Sequence, residues 1–225
     1  MTEPTPPEAE QPYVGPFIAI PVYAGVSELE LSLMLSLARV CATKSGGSAD
    51  AVKTVNRSRA SIVTAGGLVT TPHVLYAALP EPAALFLPGG PGAAKAARDP
   101  LLKAFLQTHR DLPTAVSGSG LLLAGESGLL KNRVVGSPPE LVDTVWGYDP
   151  ADVRAGEVVQ DGALWSTPSG LPALYGAFAV ASRLWGAETA TAAMSRLGVG
   201  GMGFEVGGGL PQPPPPPIPG GDRGS

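Results

Sequence analysis

Few stretches of this chain hold residues that could do chemistry. "TAVSGSGLLLAGESGLL", residues 114 to 130, reads as a short apolar strand, a small-residue turn at Ser117-Gly118-Ser119-Gly120, and an apolar helix. That order is how α/β enzymes present a nucleophile, yet no thiol stands at the centre of the turn. Ser117 and Ser119 carry hydroxyls, but a serine nucleophile needs an adjacent base and no histidine lies nearby in sequence. Both read better as hydrogen-bond donors to a ligand or as helix caps. The second feature is Glu30, three positions after Ser27 at the start of the first helix. As the partner of Ser27 in a capping box it is structural; as a pocket acid it could transfer protons. Spacing alone favours the structural role. Its neighbour Glu28 turns to another helix face and reads as solvated. The third feature, "LPGGPG", ends an apolar strand at Gly89-Gly90. It is not a nucleotide fingerprint, because the helix and acidic residue that should follow at the proper spacing are absent.

The remaining candidates are sparse. His73, in "TTPHVLY", and His109, at a helix C-terminus where a cation is favoured, read first as surface residues. Tyr23 and Trp165 fall near strand ends, and with His73 they form the set that could wall a pocket. Tyr13, Trp146, Tyr148 and Tyr175 read as packing aromatics. Cys41, the single cysteine, lies a full helix away from the turn and reads as a small core residue. One cysteine makes no disulfide framework. Two separated histidines and one remote cysteine make no metal-ligand cluster. No cofactor is expected.

These residues need a frame. "FIAIPV", "AVKTVN", "SIVTA", "AALFLPGG", the stretch opening at Thr114, and "NRVVG" read as strands. "SELELSLMLSLARV", with Leu29, Leu33, Leu37 and Val40 at helical spacing, is a helix capped by Ser27. "DPLLKAFLQTHR" is a helix with Asp99 as cap and Pro100 in its first turn, and "PPELVDTVWG" is another. "GEVVQDGALWST" reads as a hairpin turning on Asp161-Gly162. "GLPALYGAFAVASRLWG" and "AETATAAMSRLG" close the domain as helices. Continuous apolar strands alternating with helices imply an α/β three-layer sandwich, a largely parallel flavodoxin-like sheet covered on both faces. In such sheets ligands bind at the carboxyl ends of the strands, where "YAGVSELE", "LPGGPG" and "VSGSG" all fall. The domain is expected over residues 15–198, between a disordered N-terminal tail (1–14) and a Gly/Pro-rich tail (199–225) whose proline run suits polyproline II.

The chain has 225 residues, 44% of them hydrophobic, and a formal net charge of -4. That balance gives no electrostatic reason to expect nucleic acid or an anionic membrane. No apolar run reaches the roughly 20 residues needed to span a bilayer. "MTEPTPPEAEQP" lacks the basic start and apolar stretch of a secretory signal, so a cytoplasmic location is expected.

Taken in order, these motifs resemble the ThiJ/PfpI superfamily, with its class I glutamine-amidotransferase-like fold, and within it the isonitrile hydratase branch. "IPVYAGVSELELSLMLSLA" resembles the family's opening strand, turn and acid-bearing helix. "AALFLPGGPG" resembles its strand ending in Pro-Gly-Gly. "LLLAGESGLLKNR" resembles its helix after the nucleophile, and "VVQDGALWSTPSG" the hairpin before its last helices. The resemblance spans Phe17 to Gly198. It departs at two points: the family's elbow cysteine falls on Gly118, and a histidine common after the next strand falls on Pro138. The acid that faces the thiol falls on Glu30 and is kept.

On that resemblance Glu30 becomes the catalytic candidate, a general acid/base. Gly118 keeps the turn without its nucleophile, since glycine tolerates a strained elbow. The amides around Gly89, Gly90, Gly118 and Ser119 become an oxyanion pocket, with Ser117 beside them. The expected function is a cysteine-independent enzyme for a small molecule: a lyase, isomerase or cyclase catalysing hydration or dehydration, isomerisation or cyclisation, in specialised biosynthesis. The alternative is an inactive ligand-binding or regulatory protein. A small-molecule substrate and a second copy of the chain, forming a homodimer, are the implied partners.

Overall fold

The structure, a computed structural model, describes residues 17–47 and 49–199. The expected tails, save Val199, and with them Tyr13, lie outside the described residues. Strand β1 (Ile18–Pro21) is buried along its whole length and leads into helix α1 (Glu28–Lys44). Ser27 starts that helix by accepting the Glu30 amide at 3.3 Å. The reciprocal half of the capping box does not form. The Ser27 amide donates to the Gly89 carbonyl at 2.8 Å, and the Glu30 carboxylate reaches elsewhere. The buried stripe of α1 is also not the Leu29-Leu33-Val40 stripe. Leu29 is 47% exposed, while Glu30, Leu31, Met34, Leu37, Ala38, Cys41 and Ala42 are buried. Both stripes have helical spacing. The small residues Ala38, Cys41 and Ala42 let the second one pack closely against the rest of the fold.

Strand β2 (Val52–Asn56) is followed by the short hairpin β3 (Ile62–Val63) and β4 (Val69–Thr70), then by β5 (Val74–Leu75). Strand β6 (Ala84–Leu87) leads to helices α2 (Ala93–Ala96) and α3 (Pro100–Thr108). Asp99 caps α3 as expected, accepting the Leu101 amide at 3.0 Å. Strand β7 (Thr114–Ser117) and helix α4 (Gly120–Glu126) form the strand-turn-helix of the opening stretch. Strand β8 (Val134–Ser137), helix α5 (Val142–Trp146) and strand β9 (Asp152–Ala155) follow, β8 and β9 pairing as a separate parallel ribbon. The hairpin of β10 (Val159–Asp161) and β11 (Leu164–Thr167) pairs Asp161 with Leu164, so the turn is Gly162-Ala163 and not Asp161-Gly162. Asp161 stays in the ladder because its carboxylate accepts the Val134 amide at 2.7 Å. Helices α6 (Ala173–Trp185) and α7 (Ala187–Arg196) end the domain.

The central sheet has seven strands in the order β10-β11-β7-β6-β1-β2-β5. All neighbours run parallel except β10 against β11. Helices α1, α6 and α7 pack together on one face, and α4 gathers α2, α3 and α5 on the other. The core between these layers centres on Ile18, Ile20, Met34, Phe86 and Leu87, all fully buried. From β1 the chain first builds outward through β2 and β5, then crosses to β6 on β1's other side. The carboxyl ends of β1 and β6 are therefore a topological switch point, where such folds form a crevice.

Candidate functional site: a carboxylate where the strand-end loops meet

Four loops leave the carboxyl ends of β1, β6, β7 and β11 and meet at Glu30. Glu30 stands on the buried stripe of α1 and is 3% exposed. A carboxylate taken out of water needs hydrogen-bond donors, and the backbone supplies them. The Gly89 amide donates to Oε2 at 2.6 Å, and the Gly170 amide donates to Oε1 at 2.9 Å. Gly89 follows β6 and Gly170 follows β11, so one side chain from α1 ties two loops whose strands are separated by β7 in the sheet.

The turn after β7 is tied down in the same manner. Ser117 is buried and donates its hydroxyl to the Pro168 carbonyl at 3.1 Å. The Gly118 amide donates to the Thr167 carbonyl at 3.0 Å. The Ser119 hydroxyl accepts the Gly90 amide at 2.8 Å and donates to the Gly90 carbonyl at 2.9 Å. It makes no capping bond to α4. The amides of Gly89, Gly90 and Gly118, expected to face a ligand, are thus bound to the protein's own acceptors. Gly118 has φ +53°, the left-handed conformation that glycine adopts without a Cβ penalty. A Cβ there would stand 3.1 Å from Glu30 Oε1 and 2.5 Å from the Ser169 hydroxyl. Glu30 and the turn do converge, but Ser169 fills the space a side chain at 118 would occupy.

This arrangement can be set beside known proteins. No protein-family model matches the chain, and no curated protein matches it. Solved structures do. A ThiJ/PfpI family protein from Pseudomonas syringae superposes with a TM-score of 0.69 at 23% identity, covering 88% of this chain and 81% of that one. Drosophila melanogaster DJ-1beta superposes with a TM-score of 0.72 at 18% identity, covering 82% and 98%. Toxoplasma gondii DJ-1 gives 0.68 at 20% identity, over 81% and 98%. This chain has the ThiJ/PfpI and DJ-1 fold.

Within that fold the other candidates are placed as follows. Tyr23 is buried at the end of β1 and donates its hydroxyl to the Pro88 carbonyl at 2.7 Å. Burial, and then the charge of Glu30, push its phenol well above the ordinary range, so it remains a donor. His73 lies apart from the Glu30 junction, beyond β2 at the far edge of the sheet. Its Nδ1 accepts the Thr54 amide at 3.0 Å, and burial of the ring, helped by Arg39 and Lys53, holds its pKa below the ordinary value. Trp165 is also apart. It pairs with Ala115 in mid-strand, buried on the sheet face where Gly176 of α6 packs, and not at the strand end. Cys41 is fully buried, its thiol pushed up to about 11 by desolvation. His109 faces Glu81 at 3.4 Å and meets the Phe105 ring edge-on. Glu28 is not simply solvated: Oε2 accepts the Gly66 amide at 2.9 Å, linking α1 to the β3–β4 hairpin.

The residues missed from sequence are Ser169 and Gly170. Their signal was positional: "PSG" follows a strand of the same parallel sheet, so it had to emerge at the same edge as Glu30. Among the described residues no group of three or more His, Cys, Asp or Glu is placed to hold a metal. No helix among them is long and apolar enough to cross a membrane.

Proposed function

We propose that this protein uses the ThiJ/PfpI and DJ-1 fold as a non-catalytic ligand-binding or regulatory protein, with Glu30 as a structural tie between its strand-end loops. The observation that supports this most is the pair of amides, Gly89 and Gly170, that each engage one Glu30 oxygen. Ser169, standing where a side chain at 118 would project, supports it further. A cytoplasmic homodimer is the setting proposed with it, the dimer by likeness to the fold's other members.

The test is the stability of Glu30→Gln. A carboxylate accepts at both oxygens, whereas a carboxamide turns one position into a donor. One buried amide then faces another donor, at a cost of about 1–3 kcal/mol. The variant should unfold at clearly lower denaturant than the parent. A variant as stable as the parent, or more so, sinks the structural-tie reading.

A second reading is favoured by the burial of Glu30 at the switch point beside the Gly118 turn. In it the protein is a thiol-free enzyme related to the isonitrile hydratase branch. Glu30 is its general acid/base, and the reaction is a hydration, isomerisation or cyclisation. The same two hydrogen bonds are present in that reading, so turnover and not stability separates the two: folded Glu30→Gln would lose about 10²–10⁴-fold in rate, whereas a non-catalytic protein has no rate to lose.

A further inference from the structure

A cavity of about 430 Å³ opens at the same edge of the sheet, lined in part by Tyr23 but not by Glu30. It lies among the loop after β2, Tyr76, helix α2 and the start of α3. The volume falls within the range of about 300–1,000 Å³ typical of small-molecule sites. Its charged lining is lopsided: Arg57, Lys95 and Arg98 come from three separate positions, against one acid, Asp99. That acid is already engaged. Its Oδ1 accepts the Leu101 amide at 3.0 Å, and its Oδ2 stands 3.6 Å from Arg57. Lys95 and Arg98 form no ion pair among the described residues. Two cations without an ion-pair partner among the described residues therefore line one cavity beside a single acid, Asp99, in a protein whose net charge is -4; the Arg98 charge also acts on the Tyr148 phenol outside it.

The lining also has an apolar part, formed by Ile62, Leu102 and Tyr76. Tyr76 is fixed by stacking on Phe105, with centroids 4.9 Å apart. We propose that this cavity binds a small amphiphilic oxyanion, its carboxylate or phosphate head held by Lys95 and Arg98 and its apolar body set against Ile62, Tyr76 and Leu102. This rests on the reading of the protein as a binder and gives that reading a site and a ligand class. Burial and the Asp99 charge push the Tyr76 phenol up, so it stays protonated and can donate to the same head. Both cations reach water, so binding is salt-sensitive and head-group contacts set specificity more than affinity.

The experiment titrates the full chain with phenylphosphate, benzoate and neutral benzyl alcohol at low salt, followed by calorimetry and amide chemical shifts. At least one anion should bind saturably, shift the amides of Lys95 and Arg98, and weaken as salt is raised. Benzyl alcohol should bind about tenfold more weakly or not at all, as expected for loss of a charge-assisted contact. Binding of phenylphosphate alone, benzoate alone or both supports the site and identifies the head group. Lys95→Gln with Arg98→Gln replaces two exposed residues and should leave the melting temperature unchanged while weakening the bound anion by at least about tenfold. Absence of saturable binding by both anions, equal binding of benzyl alcohol, or undiminished binding by the folded double variant would each overturn the proposal. Such a failure leaves the Glu30→Gln stability result untouched, so the two readings fail separately.

Discussion

Two regions share one edge of the sheet and differ in how their polar groups are satisfied. At the Glu30 junction the Gly89, Gly90, Gly118 and Gly170 amides, the Ser117 and Ser119 hydroxyls and both Glu30 oxygens have partners inside the protein. In the cavity that Tyr23 lines, two cations have no ion-pair partner among the described residues and one acid is occupied with α3 and Arg57. The first region is built to hold loops together; the second presents charge that a ligand could neutralise. A switch point in an α/β sheet locates a crevice, but the hydrogen-bond inventory decides which side of it is available. In this molecule the position that the fold makes prominent is largely taken up by the protein's own hydrogen bonds, and its neighbour is open.

The largest expected effect comes from breaking the closed side. Glu30→Ala leaves the buried Gly89 amide without an acceptor, at about 1–3 kcal/mol, and the half-buried Gly170 amide without its partner at a smaller cost, since water can reach it. Denaturant unfolding should show a loss of that order, with anion binding in the neighbouring cavity retained in the folded fraction. A loss below about 1 kcal/mol would mean that the two amides find other acceptors or water.

A middle effect comes from filling the Gly118 space. Gly118→Ala puts a Cβ at φ +53°, 2.5 Å from the Ser169 hydroxyl. The left-handed backbone alone costs about 1–2 kcal/mol, and the contact adds to it. Ser169→Gly removes the obstructing hydroxyl, so the double variant should recover part of the loss, with a coupling of about 0.5 kcal/mol or more. Strict additivity would show that Ser169 does not occupy that space in solution.

The smallest effect is at the rim, two residues from Glu30. The Gly66 amide holds Glu28 below its ordinary value of 4.5, mainly by hydrogen-bonding its charged form. A depressed folded pKa contributes stability above the unfolded value, and that contribution disappears as pH falls through the folded value. The Gly66 amide shift should therefore titrate with a midpoint below 4.5, and Glu28→Gln should abolish that titration. A midpoint at or above the ordinary value would show that the contact is absent.

Much of this fold was legible because buried parallel strands are continuous apolar runs. "FIAIPV" and "AALFLPGG" could hardly be anything else, and Ser27 and Asp99 marked their helices by type. The buried face of α1 was not legible, since two stripes with the same period compete and only the packing partner chooses. Strand β9, "DVRA", was invisible because a short polar strand has no apolar pattern to betray it. Glu30 could be singled out by type and position, and the three Gly-rich or Ser-rich motifs by their strand-end placement. The donors that define its role could not be read. A backbone amide at Gly170 carries no sequence signature, and the distance from residue 30 to residue 170 hides the contact from any local pattern. His73 and Trp165 misled for a related reason: nearness to a strand end in sequence says nothing of which strand, or which end, faces the site.

The central claim is that Glu30 holds two loops through their amides. Hydrogen exchange at Gly89 and Gly170 tests it most directly, compared between the parent and Glu30→Gln under conditions where both are folded. The account predicts slow exchange at both amides in the parent and a selective loss of protection at one or both in the variant. Rapid exchange at these amides in the parent, or protection unchanged by the substitution, would contradict it.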